Sequence, residues 1–184
     1  YTHEEYVECV CEEMIPQVAK EHLADYVDGD YKNFQVRPTM LIATALPYSA
    51  ISEKIRQLIL KKCTEELLTN KGVRTLSPND PDYKGYYEGD QATRDAAYHQ
   101  GTCWPWLLIP FTNGMVAVHQ KKAFPVLEKI LYDFESDIKE YGISTISEIY
   151  DGAPPHKANG CISQAWSVAA LLYMKWVLEN GKTL

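Results

Sequence analysis

The sequence predicts an all-α domain of paired antiparallel helices, and three observations predict it. Apolar residues recur at helical spacing in six segments. No segment alternates apolar and polar residues for any length, apart from a possible short ribbon at Val73–Leu76 or Tyr83–Tyr87. Two long irregular stretches, 69–100 and 142–160, interrupt the helical pattern after its third and fifth helices.

The elements follow in order. Thr2-His3-Glu4-Glu5 reads as a capping box, and Tyr6, Val10, Met14 and Val18 continue from it at i, i+4 spacing, with Pro16 bending or restarting the helix. Asp28-Gly-Asp-Tyr-Lys-Asn is a turn. Val36 to Leu46 is a second helix, apolar almost all round and therefore central, with Pro38 tolerated in its first turn. Ile51 to Leu68 is a third, its stripe Ile51, Ile55, Leu58, Ile59, Cys63 and Leu67, stopped at Asn70-Lys-Gly72. Trp104 to about His119 is a fourth. Lys121 to Tyr141 is a fifth, with Phe124, Leu127, Leu131 and Phe134 or Ile138 inward. Ile162 to Asn180 is a sixth, with Ala165, Trp166, Ala169, Leu172, Tyr173 and Trp176 as its apolar face, and Gly181 ends it. If successive helices form hairpins, both long loops emerge at one end of the bundle, where a pocket would form.

Composition limits the function. The formal charge is −7, which disfavours nucleic acid and anionic membrane as partners, since both need basic surface. No apolar run approaches the ~18 residues of a membrane span. The five cysteines, Cys9, Cys11, Cys63, Cys103 and Cys161, include no C-x-x-C pair and read as thiols of a reducing cytosol. His3 and His22 have no partner at ligand spacing. His99 and Cys103 stand at i, i+4, but no third ligand matches them, so neither a metal nor a cofactor is expected.

The chemistry concentrates in Tyr86 to Trp106, which holds three acids, one Arg, one His, two Gln, three Tyr and two Trp in 21 residues. A packed core must pair every buried polar group, and a solvated loop has little use for so many aromatic rings. A groove for a neutral, hydroxyl-rich ligand uses both: rings stack on sugar faces, while carboxylates, amides and guanidinium bond hydroxyls. Asp90, Gln91, His99, Gln100, Trp104 and Trp106 are the candidate ligand contacts. Asp90, Arg94 and Asp95 read equally well as an ion-pair set ordering the loop, and Trp166 and Trp176 read as core. Glu148, between Ile146 and Ile149 in the second loop, is either a helix cap, a solvated acid or a general base whose pKa its neighbours tune.

Five motifs go further: Val73-Arg-Thr-Leu-Ser-Pro, Tyr87-Glu-Gly-Asp-Gln, Tyr98-His-Gln-Gly-Thr-Cys-Trp-Pro-Trp, Ser147-Glu-Ile-Tyr-Asp-Gly-Ala-Pro-Pro-His and Gly160-Cys-Ile-Ser-Gln-Ala-Trp-Ser-Val-Ala. In this order they resemble the C-terminal region of glycogen debranching enzymes, their amylo-α-1,6-glucosidase domain. The resemblance implies an (α/α)6 barrel related to glucoamylases, of which residues 1–184 would be about the C-terminal half. It implies a cytoplasmic enzyme that hydrolyses the α-1,6-linked glucose stub of glycogen or a branched glucan, with inversion and without metal. Glu148 takes the place of the general base. The family's general acid is an Asp in a motif upstream of this chain, and Arg94-Asp95 does not match it, so the chain alone is expected to be inactive. Its open helix faces are then expected to meet the missing N-terminal half of the barrel, or to self-associate. A helical carbohydrate-binding scaffold without hydrolysis, and another exo-acting α-glucosidase, are the alternatives. The family's Arg-Pro-Asn-Gln reads Arg37-Pro38-Thr39-Met40 here.

Overall fold

The computed structural model describes residues 22–140 and 142–183. The first predicted helix, begun at Thr2, lies outside the described residues.

A hairpin comes first, β1 (Tyr26–Asp28) and β2 (Tyr31–Asn33), closed by the Asp28-Gly-Asp turn. Helix α1 (Thr39–Ala45) starts only after Pro38, because a proline ring disfavours helical backbone at the residue before it. Its Met40, Leu41 and Thr44 are buried against α4 (Leu108–His119). Helix α2 (Glu53–Glu66) follows, with Ile59, Leu60 and Cys63 facing the core. A 3-10 turn at Pro105–Leu107 leads into α4, and another at Gln120–Ala123 leads into α5 (Phe124–Asp133). The fifth predicted helix therefore breaks in two: α6 (Asp137–Glu140) is a separate turn, Phe134 is fully buried and Ile138 faces solvent.

The all-α expectation is overturned by a five-strand sheet. Strands β3 (Leu68–Thr69), β4 (Gly72–Arg74), β5 (Cys103–Trp104), β6 (Ile149–Tyr150) and β7 (Ala158–Asn159) lie in that order, every neighbouring pair antiparallel. Val73 pairs with Trp104, Cys103 with Tyr150, and Tyr150 with Ala158. Each strand is two or three residues long, below the length at which a period-2 pattern is visible. The 69–100 segment also contains a short helix, α3 (Gln91–Ala97), that periodicity does not announce.

The sheet is buried, not laid on the surface. Ile149, Tyr150, Val73 and Cys103 are inaccessible and join the same core as Leu41, Ile59, Phe111 and Leu127. Lys71, in the β3–β4 turn, reaches Asp137 at 2.8 Å and lies over the Phe134 ring, fixing the sheet edge to α6.

The last helix, α7 (Ala165–Asn180), keeps its predicted position but turns its other face inward. Ser167, Ala170, Leu171, Met174 and Val177 are buried. Most of the predicted apolar face looks out, Trp166 being 48% and Leu172 63% exposed, while Tyr173 and Trp176 are half-buried. The helix is apolar on most of its circumference, so periodicity alone does not choose the inner side.

Candidate active site

The two irregular segments meet edge to edge. Ala153 donates its N–H to the Gly85 carbonyl at 2.9 Å, and Tyr87 donates its N–H to Asp151 Oδ1 at 2.8 Å. Arg74 reaches from β4 to the Gly152 carbonyl at 2.8 Å and to the Glu66 carbonyl at 3.1 Å. Gly152 lies so close to Gly101 that a β-carbon there would overlap the Gly101 carbonyl oxygen. Only a residue without a side chain lets the two loops touch.

Glu148 sits at this junction and is 8% exposed. Its backbone is clamped: its N–H donates to the Cys161 carbonyl at 2.9 Å, and its carbonyl accepts from Ser167 Oγ at 3.3 Å. Its carboxylate is held as well. Oε2 accepts from the Cys161 N–H at 3.1 Å, and Oε1 accepts from Gln164 Nε2 at 3.3 Å. Gln164 serves two elements, since its Oε1 caps the Ala165 N–H at the start of α7. Burial first, and then the nearby Glu148 carboxylate, hold the Tyr98 phenol well above its usual range. Gly160 packs so tightly that a β-carbon would stand 2.5 Å from Glu148 Oε2.

An aromatic wall flanks the carboxylate. Tyr98 meets Trp104 edge-on at 4.7 Å and Tyr87 at 5.6 Å. His99 stacks on Trp104 with 8° between the planes, and Trp166 lies 6.1 Å from Trp104. Trp104 itself is 5% exposed, with its indole N–H on the Tyr98 carbonyl at 3.1 Å. Burial, and secondarily the Arg37 charge, push the His99 imidazole below its ordinary pKa, so it is neutral at pH 7.

Arg37 organises the next side. It donates to the His99 carbonyl at 2.8 Å, to Gln100 Oε1 at 2.7 Å and to the Thr75 carbonyl at 3.2 Å. A cleft of about 230 Å³ opens here, lined by Arg37, Thr39, Ile42, His99, Trp104 and Trp106 among others. Thr39 also bonds Asp25 at 2.6 Å, while Met40 is core. Of the pair that departs from the resembled motif, one residue thus faces this cleft and the other does not.

The structure brings His99, Trp104 and Trp106 together on this cleft, with Gln100 held beside it by Arg37; Glu148 is not among the residues that line it. Asp90 and Gln91 stand at the exposed start of α3, where Asp90 Oδ1 caps the Thr93 N–H at 2.9 Å. The Thr93 side chain and then its N–H hold the Asp90 carboxyl below the usual range. Cys103 points away from His99, into the sheet, where Thr69 donates to its sulfur at 3.4 Å and burial pushes the thiol up to about 11. Among the described residues no group of three or more His, Cys, Asp or Glu stands where it could hold a metal. No helix among them is long and apolar enough to cross a membrane. A larger groove, about 780 Å³, runs between α5 and α7, but its floor is Leu131, Leu171 and Leu172, and none of the groups above lines it.

Sequence reasoning missed three participants: Tyr98, Gln164 and Trp166. Each lies inside a motif quoted above. Spacing shows neither that Gln164 faces back toward Glu148 nor that Trp166 faces Trp104, because both contacts join the start of α7 to residues distant in sequence.

Over 99 residues the chain is 33% identical to the glycogen debranching enzyme of Saccharomyces cerevisiae, a match covering 50% of the chain and 6% of that enzyme. The chain thus spans a small part of the relative it matches. Its fold resembles neutral trehalase from Saccharomyces cerevisiae, with a TM-score of 0.61 and 11% identity, over 94% of this chain and 31% of that one. Residues 4–173 match the family described as amylo-alpha-1,6-glucosidase. The chain belongs to the amylo-α-1,6-glucosidase family and is a glycoside-hydrolase-related domain.

Proposed function

We propose that this chain carries the general-base side of an inverting glycoside hydrolase acting on the α-1,6-linked glucose at branch points of glycogen or a similar glucan. The observation that carries this reading is Glu148. A carboxylate nearly removed from water, aimed by Cys161 and Gln164, suits the activation of one bound water.

His99, Gln100, Trp104 and Trp106 are read as contacts to the terminal glucose. The neutral His99 imidazole and the Gln100 amide suit hydroxyl groups, and the indoles suit the apolar faces of a pyranose. Gln100 has a fixed orientation, because Arg37 holds its oxygen and leaves the amide N–H groups to the ligand. Trp166 extends the aromatic surface toward solvent.

Inversion needs a second carboxyl across the sugar ring, roughly 6.5–9.5 Å from the base. In this reading it comes from a part of the parent protein outside these residues, so the 184-residue chain alone releases no glucose. The decisive experiment uses the full-length protein and a phosphorylase-limit dextrin. Glu148→Gln is expected to lower glucose release at least about a thousandfold while leaving glucan binding in place. Unchanged release would assign the base elsewhere and leave this chain a carbohydrate-binding scaffold.

A further inference from the structure

We propose that Arg37 is the positioning residue of the glucose cleft: it lines the cleft with every guanidinium N–H spent on protein acceptors, so it sets His99 and Gln100 for an uncharged sugar and gives the ligand no bond of its own. The inference rests on the reading of His99 and Gln100 as contacts to the terminal glucose.

A guanidinium has five N–H donors and no acceptor. Nε donates to Gln35 Oε1 at 3.2 Å. Nη1 donates to the His99 carbonyl at 2.8 Å and to the Thr75 carbonyl at 3.2 Å. Nη2 donates to Gln35 Oε1 at 3.0 Å and to Gln100 Oε1 at 2.7 Å. Five donors are thus met by five bonds within the chain. The Asp25 carboxylate, 3.6 Å from Nε, offsets the charge. An arginine that recognises a phosphate or carboxylate turns a free pair of N–H groups toward it. Arg37 has no such pair left, although it lines the cleft. The cleft therefore suits a neutral ligand, and the arginine in it is a strut.

The strut is held in turn. The Gln35 N–H donates to Asn33 Oδ1 at 2.8 Å, and its Nε2 donates to Asp80 Oδ1 and to Asp82 Oδ2, each at 3.3 Å. The Thr75 N–H donates to the Thr102 carbonyl at 3.1 Å. The acceptors on Arg37 thus come from three stretches, after β2, after β4 and after α3, and the fold sets the guanidinium plane. With Gln100 Oε1 taken, that side chain offers its amide N–H groups, and the matching group on a sugar is a hydroxyl oxygen that accepts. Released from Arg37, the amide could turn over and offer either end. Lysine is no replacement, because three donors on one flexible point do not span Gln35, His99 and Gln100 together.

The test is a double-mutant cycle of Arg37→Lys and Gln100→Ala in the full-length protein. It is read in KM for limit dextrin, and in dextrin affinity with Glu148→Gln added to each variant. With Gln100 present, Arg37→Lys is expected to raise KM about tenfold and to change kcat less than about twofold. In the Gln100→Ala background the same change is expected to raise KM no more than about twofold, because the group it positions is gone. Equal costs in the two backgrounds overturn the proposal. An arginine that only supports the fold, or one that bonds the ligand itself, does not act through Gln100. Gln100→Glu keeps an acceptor for Arg37 and removes the amide N–H groups, so it is expected to raise KM as far as Gln100→Ala does. Should Arg37→Lys fold poorly, that variant decides alone, and dextrin affinity kept in Gln100→Glu overturns the proposal. If Gln100→Ala raises KM while the two costs simply add, the role of Arg37 fails by itself. If Gln100→Ala leaves KM and affinity unchanged, the reading of Gln100 as a glucose contact fails first and this inference with it.

Discussion

The helices around α4 and the small sheet that carries Glu148 are neighbours in one core, yet different forces specify them. Helix α2 is written along its own sequence: Ile59 and Cys63 recur at i, i+4, face inward and bury apolar area wherever the helix docks. The sheet is written across the sequence. Its strands come from 68–69, 72–74, 103–104, 149–150 and 158–159, and none has the length to be stable alone. What holds them is a set of single contacts between distant residues, such as Arg74 on the Gly152 carbonyl and Tyr87 on Asp151. A helix stabilised by a stripe loses a little with each residue changed. A platform stabilised by point contacts loses a whole loop at once.

The largest expected effect tests that difference directly. Gly152→Ala places a methyl against the Gly101 carbonyl, backbone against backbone, where no side chain can yield. A local cost of about 3 kcal/mol is expected, which corresponds to roughly hundredfold faster amide hydrogen exchange over 83–104 and 144–160 in the full-length protein. The helices α2 and α4 should exchange as before. Uniform acceleration across both regions would show that they unfold together and that the distinction between them has no energetic content.

Legibility in the sequence follows the same divide. Helices α2 and α7 were readable to within a few residues, because each carries its signal locally. Composition marks the two loops as the candidate site, and only the motif around Glu148 singles that residue out. The sheet was not readable, since a two-residue strand has no period. The inner face of α7 was not readable either, since Trp166 and Leu172 are as apolar as Met174 and Val177. What decides between them is the packing of α7 on the Pro105–Leu107 turn, α4 and α5, which periodicity does not see.

That ambiguous helix gives the next prediction. Trp166 and Leu172 both lie on the outer side of α7, but only Trp166 touches the aromatic wall. In the full-length protein Trp166→Ala is expected to raise KM for limit dextrin about fivefold, the equivalent of ~1 kcal/mol of ring stacking, with kcat kept. Leu172→Ala should leave KM unchanged. Equal effects of the two would mean that the outer face of α7 works as a docking surface for the rest of the protein and that Trp166 has no special part in binding sugar.

The smallest expected effect separates a cap from a ligand contact at Asp90. Its carboxylate accepts both the N–H and the hydroxyl of Thr93, and these bonds hold its pKa below the ordinary value. A carboxyl whose folded pKa is depressed adds stability above the unfolded pKa of about 3.9 and loses it as pH falls through the folded one. Asp90→Asn retains an acceptor oxygen that does not titrate. The α3 segment of that variant should therefore show no acid-dependent loosening below about pH 4, while the unaltered protein does, as followed by hydrogen exchange of residues 91–97. Asp90→Ala should loosen α3 at every pH, because the first-turn N–H groups lose their acceptor. A capping role leaves KM for the glucan nearly alone in the Asn variant. A rise in KM with the cap intact would instead move Asp90 into the binding surface, and extend the site from the aromatic wall to the start of α3.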